Sequence, residues 1–157
     1  EGIHEDYPRN INDSNKLNFR CPECQYSKGE EVISNYFIKK GFIKIDQKDF
    51  EQLSGKNKFN KDYYIPQMKY DGLVGLKCGN LSYDFYIPKL NLLIEYQGEQ
   101  HEHYCKGFHK SKKDFERQVE HDRRKKEYAQ NNNVKLLEIW YYDFDNIEEI
   151  LEKELKY

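Results

Sequence analysis

Residues 82–104 read SYDFYIPKLNLLIEYQGEQHEHY, and this stretch leaves few folds open to the chain. Ser82–Ile87 and Asn91–Tyr96 are short apolar and aromatic runs separated by Pro88-Lys89-Leu90, a pattern that predicts two strands joined by a turn. Each run carries a carboxylate. Asp84 sits beside Phe85 and Ile87, and Glu95 follows Leu93 and Ile94. A carboxylate inside an apolar strand is costly unless something pairs with it. Two of them on neighbouring strands also repel. A divalent cation between them removes both costs. The plainer alternative puts Asp84 on a solvated face and Glu95 opposite a lysine across the sheet. Gln97, Gly98, His101 and His103 crowd the end of the second run, where loops carry function.

The chain has 157 residues, enough for one domain with a core of its own. Charged residues make up 34% and aromatic residues 15%, so the chain has polar cover and the bulk to pack beneath it. The net charge of -2 excludes a uniformly basic nucleic-acid binder. Basic residues are nevertheless concentrated between Lys106 and Lys126, and acidic ones between Glu138 and Glu154. No apolar stretch is long enough to span a membrane and no targeting segment is visible. Four cysteines in a chain of this size do not make a disulfide scaffold, which points to an intracellular setting with reduced thiols.

Residues 1–20 are polar, lack periodicity and read as a tail or linker. Cys21-Pro22-Glu23-Cys24 is a CxxC knuckle able to supply half of a zinc site, although no second knuckle completes it. Ser27-x-x-Glu30 has the spacing of a capping box and opens a helix to about Lys40, with Val32, Ile33, Tyr36 and Phe37 inward and Gly41 as its stop. Phe42–Asp46 alternates as a strand. Residues 47–80, broken by glycines and Pro66, read as an insertion of turns and short strands. Ser111 and Asp114 cap a helix to about Asn131 whose inward stripe is Phe115, Val119, Asp122, Lys126 and Ala129. Arg123, Arg124 and Lys125 then point elsewhere, either into solvent or towards phosphates. A strand over Val134–Tyr141 and a last helix capped near Asp145–Glu148 complete an α/β chain around a mixed sheet.

A helix glutamate, a strand aspartate, a hairpin, a Glu-x-polar strand end, a basic helix and a closing strand together resemble the PD-(D/E)XK nuclease superfamily. Val119-Glu120-His121-Asp122-Arg123-Arg124 and Leu136–Trp140 are similar to the closing helix and strand of its Vsr-like branch, which includes the EDxHD homing endonucleases. SKGE, YDFYIP and IEYQGEQHEHY also resemble phage and giant-virus nuclease domains of that branch. The resemblance covers roughly Cys21 to Leu151 and implies a restriction-endonuclease-like α/β/α sandwich, with residues 21–157 forming the nuclease domain. On this likeness Glu30, Asp84, His101 and Asp122 match the branch's acidic and histidine positions, and Glu95 occupies the acidic position of the wider Glu-x-Lys motif. Gln97 stands where that motif has its lysine; an amide hydrogen-bonds water but brings no charge. The implied metal ligands are Asp84, Glu95 and the Tyr96 backbone carbonyl, holding Mg²⁺ or Mn²⁺. His103 and Cys105 fall near two ligand positions of the branch's structural zinc, whose remaining ligands are not evident; Cys21 and Cys24 of the knuckle are the other candidate zinc ligands. Lys112, Lys113, Arg117, Arg123, Arg124 and Lys126 are the candidate contacts to double-stranded DNA.

The implied activity is metal-dependent hydrolysis of phosphodiester bonds by the catalytic domain of a longer phage- or virus-type protein. Two other readings stand beside it. A degenerate nuclease fold would bind nucleic acid without cutting it, which Gln97 and the net charge favour. A zinc-stabilised interaction module would account for the CxxC knuckle.

Overall fold

The computed structural model describes residues 27–99, Glu102 and residues 109–156. The N-terminal tail, Cys21, Cys24, His101, His103 and Cys105 lie outside the described residues, so the zinc set and the candidate histidine are not placed.

Helix α1 (Lys28–Lys39) begins as its capping box requires. Ser27 Oγ accepts from Glu30 N at 3.2 Å, and Glu30 Oε2 accepts from Ser27 N at 2.9 Å. Gly41 follows with φ +82°, the left-handed conformation that ends a helix without a side-chain penalty. Strand β1 (Ile43–Lys44) is shorter than its alternating sequence predicts. Helices α2 (Gln47–Gln52) and α3 (Asn57–Asn60) lead into β2 (Tyr63–Val74), which is followed by β3 (Asn80–Ile87) and β4 (Leu92–Gln97). The β3–β4 turn is a 3-10 turn over Pro88–Leu90, closed by Asn91 in the left-handed region at φ 48°. Helix α4 (Lys112–Asn131), β5 (Lys135–Trp140), a 3-10 segment over Tyr141–Asn146 and α5 (Ile147–Leu155) complete the chain. The last helix starts at Asn146 without a side-chain cap, so Asp145 does not perform the capping its position suggested.

The sheet is mixed and runs β1-β2-β3-β4-β5, with the two outer pairings parallel and the two inner ones antiparallel. Residues 47–80, expected to be an insertion of turns and short strands, instead supply a twelve-residue strand paired on both sides. Pro66 and Gly72 hide it, because both read as breakers. One sheet face carries α1 and α5 over Ile33, Phe37, Phe85, Ile94, Ile139 and Leu151. The other packs Phe50 of α2 and Ala129 of α4 against Ile65, Tyr83, Leu93 and Leu136. The result is a three-layer α/β/α arrangement.

Two features of this sheet position the candidate site. Ile65 and Met68 lie in the same core, as do Tyr83 and Tyr86, although residues three apart in a straight strand face opposite ways. The β2–β3 ribbon turns over between them, where Gln67 adopts φ 53°. The register sets Pro66 opposite Phe85 and Met68 opposite Tyr83, so Gln67 faces Asp84. Secondly, α4 runs antiparallel to β4: Ala129 packs in the Leu93 core, and Lys125 reaches Glu95 further along the strand. Its earlier turns therefore extend beyond the strand's C-terminal end.

Candidate active site

Asp84 and Glu95 lie opposite one another at the end of the β3–β4 ladder, whose last paired residues are Phe85 and Ile94. Beyond that pair, side chains replace carbonyls as acceptors. Asp84 N donates to Glu95 Oε2 at 3.1 Å, and Tyr96 N donates to Asp84 Oδ2 at 2.8 Å. Two main-chain N–H groups at the end of the ladder are thus satisfied by carboxylates. Asp84 Oδ1 has no hydrogen-bond partner among the described residues.

The carboxyl of Asp84 is pushed well above the usual aspartate range. Burial is the largest cause, followed by the negative charges of Glu95 and Glu30; Lys125 and the Tyr96 N–H act in the opposite direction. Glu30 is close because Gly29 lets the start of α1 pack on the Tyr96 ring, leaving no room for a β-carbon there. Its Oε1 accepts from Gln67 Nε2 at 3.3 Å, and Gln67 Oε1 accepts from Ser82 Oγ at 2.8 Å. Capping and a place at the site thus coexist in Glu30.

Glu95 is almost fully buried, and its Oε1 accepts from Lys125 Nζ at 2.6 Å. Burial works against the lysine's charge, but Glu95 and Asp84 outweigh it and hold the ammonium more firmly protonated than usual. This reverses the expected register of α4. Lys125, expected to point away from the core, is the inward cation. Lys126, expected inward, is exposed and lies 3.5 Å from Glu138. Val119 is 46% exposed rather than part of the stripe. The inward line instead passes through Gln118, Asp122, Lys125 and Ala129. The buried carboxylate supplies the reason: it draws in the lysine whose helical position reaches it.

Gln97 is buried beside this pair. Its Nε2 donates to Glu138 Oε2 at 2.7 Å, and its Oε1 has no hydrogen-bond partner among the described residues. Glu138 pairs in register with Glu95 across the parallel β4–β5 ladder, which adds a further carboxylate on the same face that sequence reasoning missed. Its only signal was alternation along KLLEIW, where Leu136, Glu138 and Trp140 share a side. Asp122 is half-buried, one turn before Lys125, and its charge acts on both Lys125 and His121. His121 Nε2 accepts from Leu76 N at 2.8 Å, which requires that nitrogen to be unprotonated. Burial and the charges of Lys125 and Arg124 lower the imidazole's pKa accordingly.

The proposed phosphate contacts divide into two groups. Arg123 is held by Glu120 and Glu127, Arg124 by Glu120 and the Val74 carbonyl, and Arg117 by Asp114. Hydrogen bonds from the two arginines hold the Glu120 carboxyl down at about 2. Lys112 and Lys113 are exposed at the start of α4.

Among the described residues no three His, Cys, Asp or Glu side chains converge as a ready-made metal site. Mg²⁺, however, is commonly bound through one or two carboxylates together with substrate oxygens. The crowding of Asp84 by Glu95 and Glu30, together with its unpartnered Oδ1, is an electrostatic environment that a hard cation relieves, so the residues fit such an ion.

No protein-family profile matches the chain, and no solved structure matches it. Among described proteins, the chain is 31% identical over 133 residues to "Uncharacterized protein 307L" of Invertebrate iridescent virus 6, covering 82% of this chain and 64% of that protein. It is 36% identical over 91 residues to "Uncharacterized protein 094L" of Frog virus 3 (isolate Goorha), covering 57% of this chain and 58% of the relative. The chain therefore spans less than two thirds of the length of either viral protein to which it is similar.

Proposed function

We propose that this chain is a metal-dependent DNA endonuclease domain with a restriction-endonuclease-like core. The observation that carries the reading is the Asp84–Glu95 pair at the end of a β-ladder, with Glu30 beside it and a buried lysine bonded to Glu95. Mg²⁺ or Mn²⁺ held by Asp84, Glu95 and the Tyr96 carbonyl would polarise the phosphate and acidify a bound water. The viral origin of the two relatives suits a phage- or virus-type chain.

The protein's own groups have distinct tasks. Asp84 and Glu95 present hard oxygen donors. Lys125 supplies from α4 the cation that Gln97 does not supply from β4, close enough to Glu95 to stabilise negative charge building on a phosphate there. Gln97 keeps a neutral acceptor, Oε1, turned to neither Glu138 nor Lys125. Asp122, on the same helix face as Lys125, would orient a proton-transferring group, and His101 is our candidate for that group. Lys112, Lys113 and the arginines of α4 hold the phosphate backbone; their surface ion pairs are weak enough to exchange for phosphates.

One observation favours binding without cleavage: Lys125 already neutralises Glu95, so the pair can be stable with no metal at all. Incubating the protein with supercoiled plasmid in Mg²⁺, in Mn²⁺ and in EDTA separates the two readings. Metal-dependent relaxation or linearisation, absent in Asp84→Asn, supports the nuclease. DNA binding with no cleavage in either metal overturns it in favour of the binder. In an active protein, Asp122→Asn should lower the rate by about 10²-fold, the scale of general acid–base assistance, while the fold survives.

A further inference from the structure

Trp140 closes β5 directly opposite Gln97, on the sheet face that carries Glu95 and Glu138. At roughly 3.3 Å per residue it lies about 7 Å beyond Glu138 along the strand. The chain then turns into the 3-10 segment, which returns Tyr142 onto the indole. The two rings are nearly parallel, at 8°, with centroids 6.0 Å apart. Tyr142 is 64% exposed, more than any other large hydrophobic side chain among the described residues. The segment is braced from its other side. Tyr141 packs edge-on against Tyr142 and hydrogen-bonds Glu102, which pushes the Tyr141 phenol up to about 12. A supported aromatic surface left open to solvent thus stands beside the carboxylates. Between the two lies Gln97, whose buried Oε1 has no hydrogen-bond partner among the described residues.

We infer that Trp140 and Tyr142 form a nucleobase-stacking platform, and that the favoured ligand is DNA with an unpaired base next to the phosphate at the Asp84–Glu95 pair. This rests on the nuclease-site reading for its location, but not on cleavage. An aromatic face accepts any base, and stacking requires the base to be out of its duplex. A paired helix presents its bases edge-on in the grooves, where an exposed tyrosine ring finds no flat partner.

Trp140 is the only tryptophan in the chain, so its fluorescence reports on this platform alone. The protein is titrated with oligothymidylate and with a duplex of equal length, in EDTA at low salt. Saturable quenching that is stronger and tighter for the single strand is expected. Tyr142→Ala should weaken single-strand binding by about tenfold, within the range measured for loss of one base stack, and leave duplex binding unchanged. Tyr142→Phe should restore it. No quenching, or equal loss of single-strand and duplex binding in Tyr142→Ala, overturns the platform. Quenching by the single strand without plasmid cleavage in any metal would retain the platform and remove the nuclease. Cleavage without quenching would do the reverse.

Discussion

The two faces of the sheet are built from the same strands and serve opposite ends. Under α1 and α5 the alternating residues Phe85, Ile87, Leu92, Ile94 and Ile139 meet Ile33, Phe37 and Leu151 in an apolar layer. Under α4 the layer is apolar only as far as Leu93, Leu136 and Ala129; one step along the strands it becomes Glu95, Glu138, Gln97 and Lys125. Burial of apolar surface stabilises the first face. On the second, charges are held at the core's edge, where their mutual repulsion and desolvation oppose stability. Changes on the two faces should therefore separate stability from activity.

The largest effect is expected at Asp84. Asp84→Asn should reduce metal-dependent plasmid cleavage to background while leaving the fold intact. It should also raise the melting temperature at neutral pH. Between the ordinary aspartate value of 3.8 and the raised native value, the native state keeps a proton that the unfolded chain has released. Wild-type stability therefore falls as pH rises through that window, and the fall should be missing in Asp84→Asn. Thermal melts from pH 3 to pH 8 check this; a variant less stable than wild type at neutral pH would mean that Asp84 is not a repelled carboxylate.

Lys125→Met comes next. It strands the buried Glu95 carboxylate, and loss of one partner of a buried pair costs about 3–5 kcal/mol. Urea titration should show that loss in the single variant and most of it recovered in Glu95→Gln/Lys125→Met, with cleavage absent from both. Failure of the double change to restore stability would show that packing of the lysine stem, rather than its charge, matters.

On the apolar face, Leu151→Ala removes a fully buried side chain and should cost about 2–5 kcal/mol. Cleavage measured well below its melting temperature should be nearly unchanged, the converse of Asp84→Asn. A large loss of turnover there would show that the faces are coupled through the strands. The smallest effect belongs to Arg123→Ala. Its ion pairs with Glu120 and Glu127 are exposed, so the melting temperature should barely move, whereas DNA binding should weaken and become less steeply dependent on salt. Unchanged DNA affinity would leave Arg123 as a solvated helix residue.

The sequence alone determined what depends on neighbours within a few residues. Ser27 with Glu30, and Ser111 with Asp114, marked the starts of two helices because a cap bonds an N–H two or three positions away. Pro88-Lys89-Leu90 marked the hairpin, and the hairpin set Asp84 opposite Glu95. What depends on distant partners was left to tertiary structure. Pro66 and Gly72 concealed β2, which exists as a strand because β1 and β3 flank it. On α4 adjacent residues differ by about 100° around the axis, and a run of RRKK carries no apolar mark to choose between Lys125 and Lys126. That choice was made across the fold, where Glu95, buried by the packing of β4, takes the lysine that can reach it.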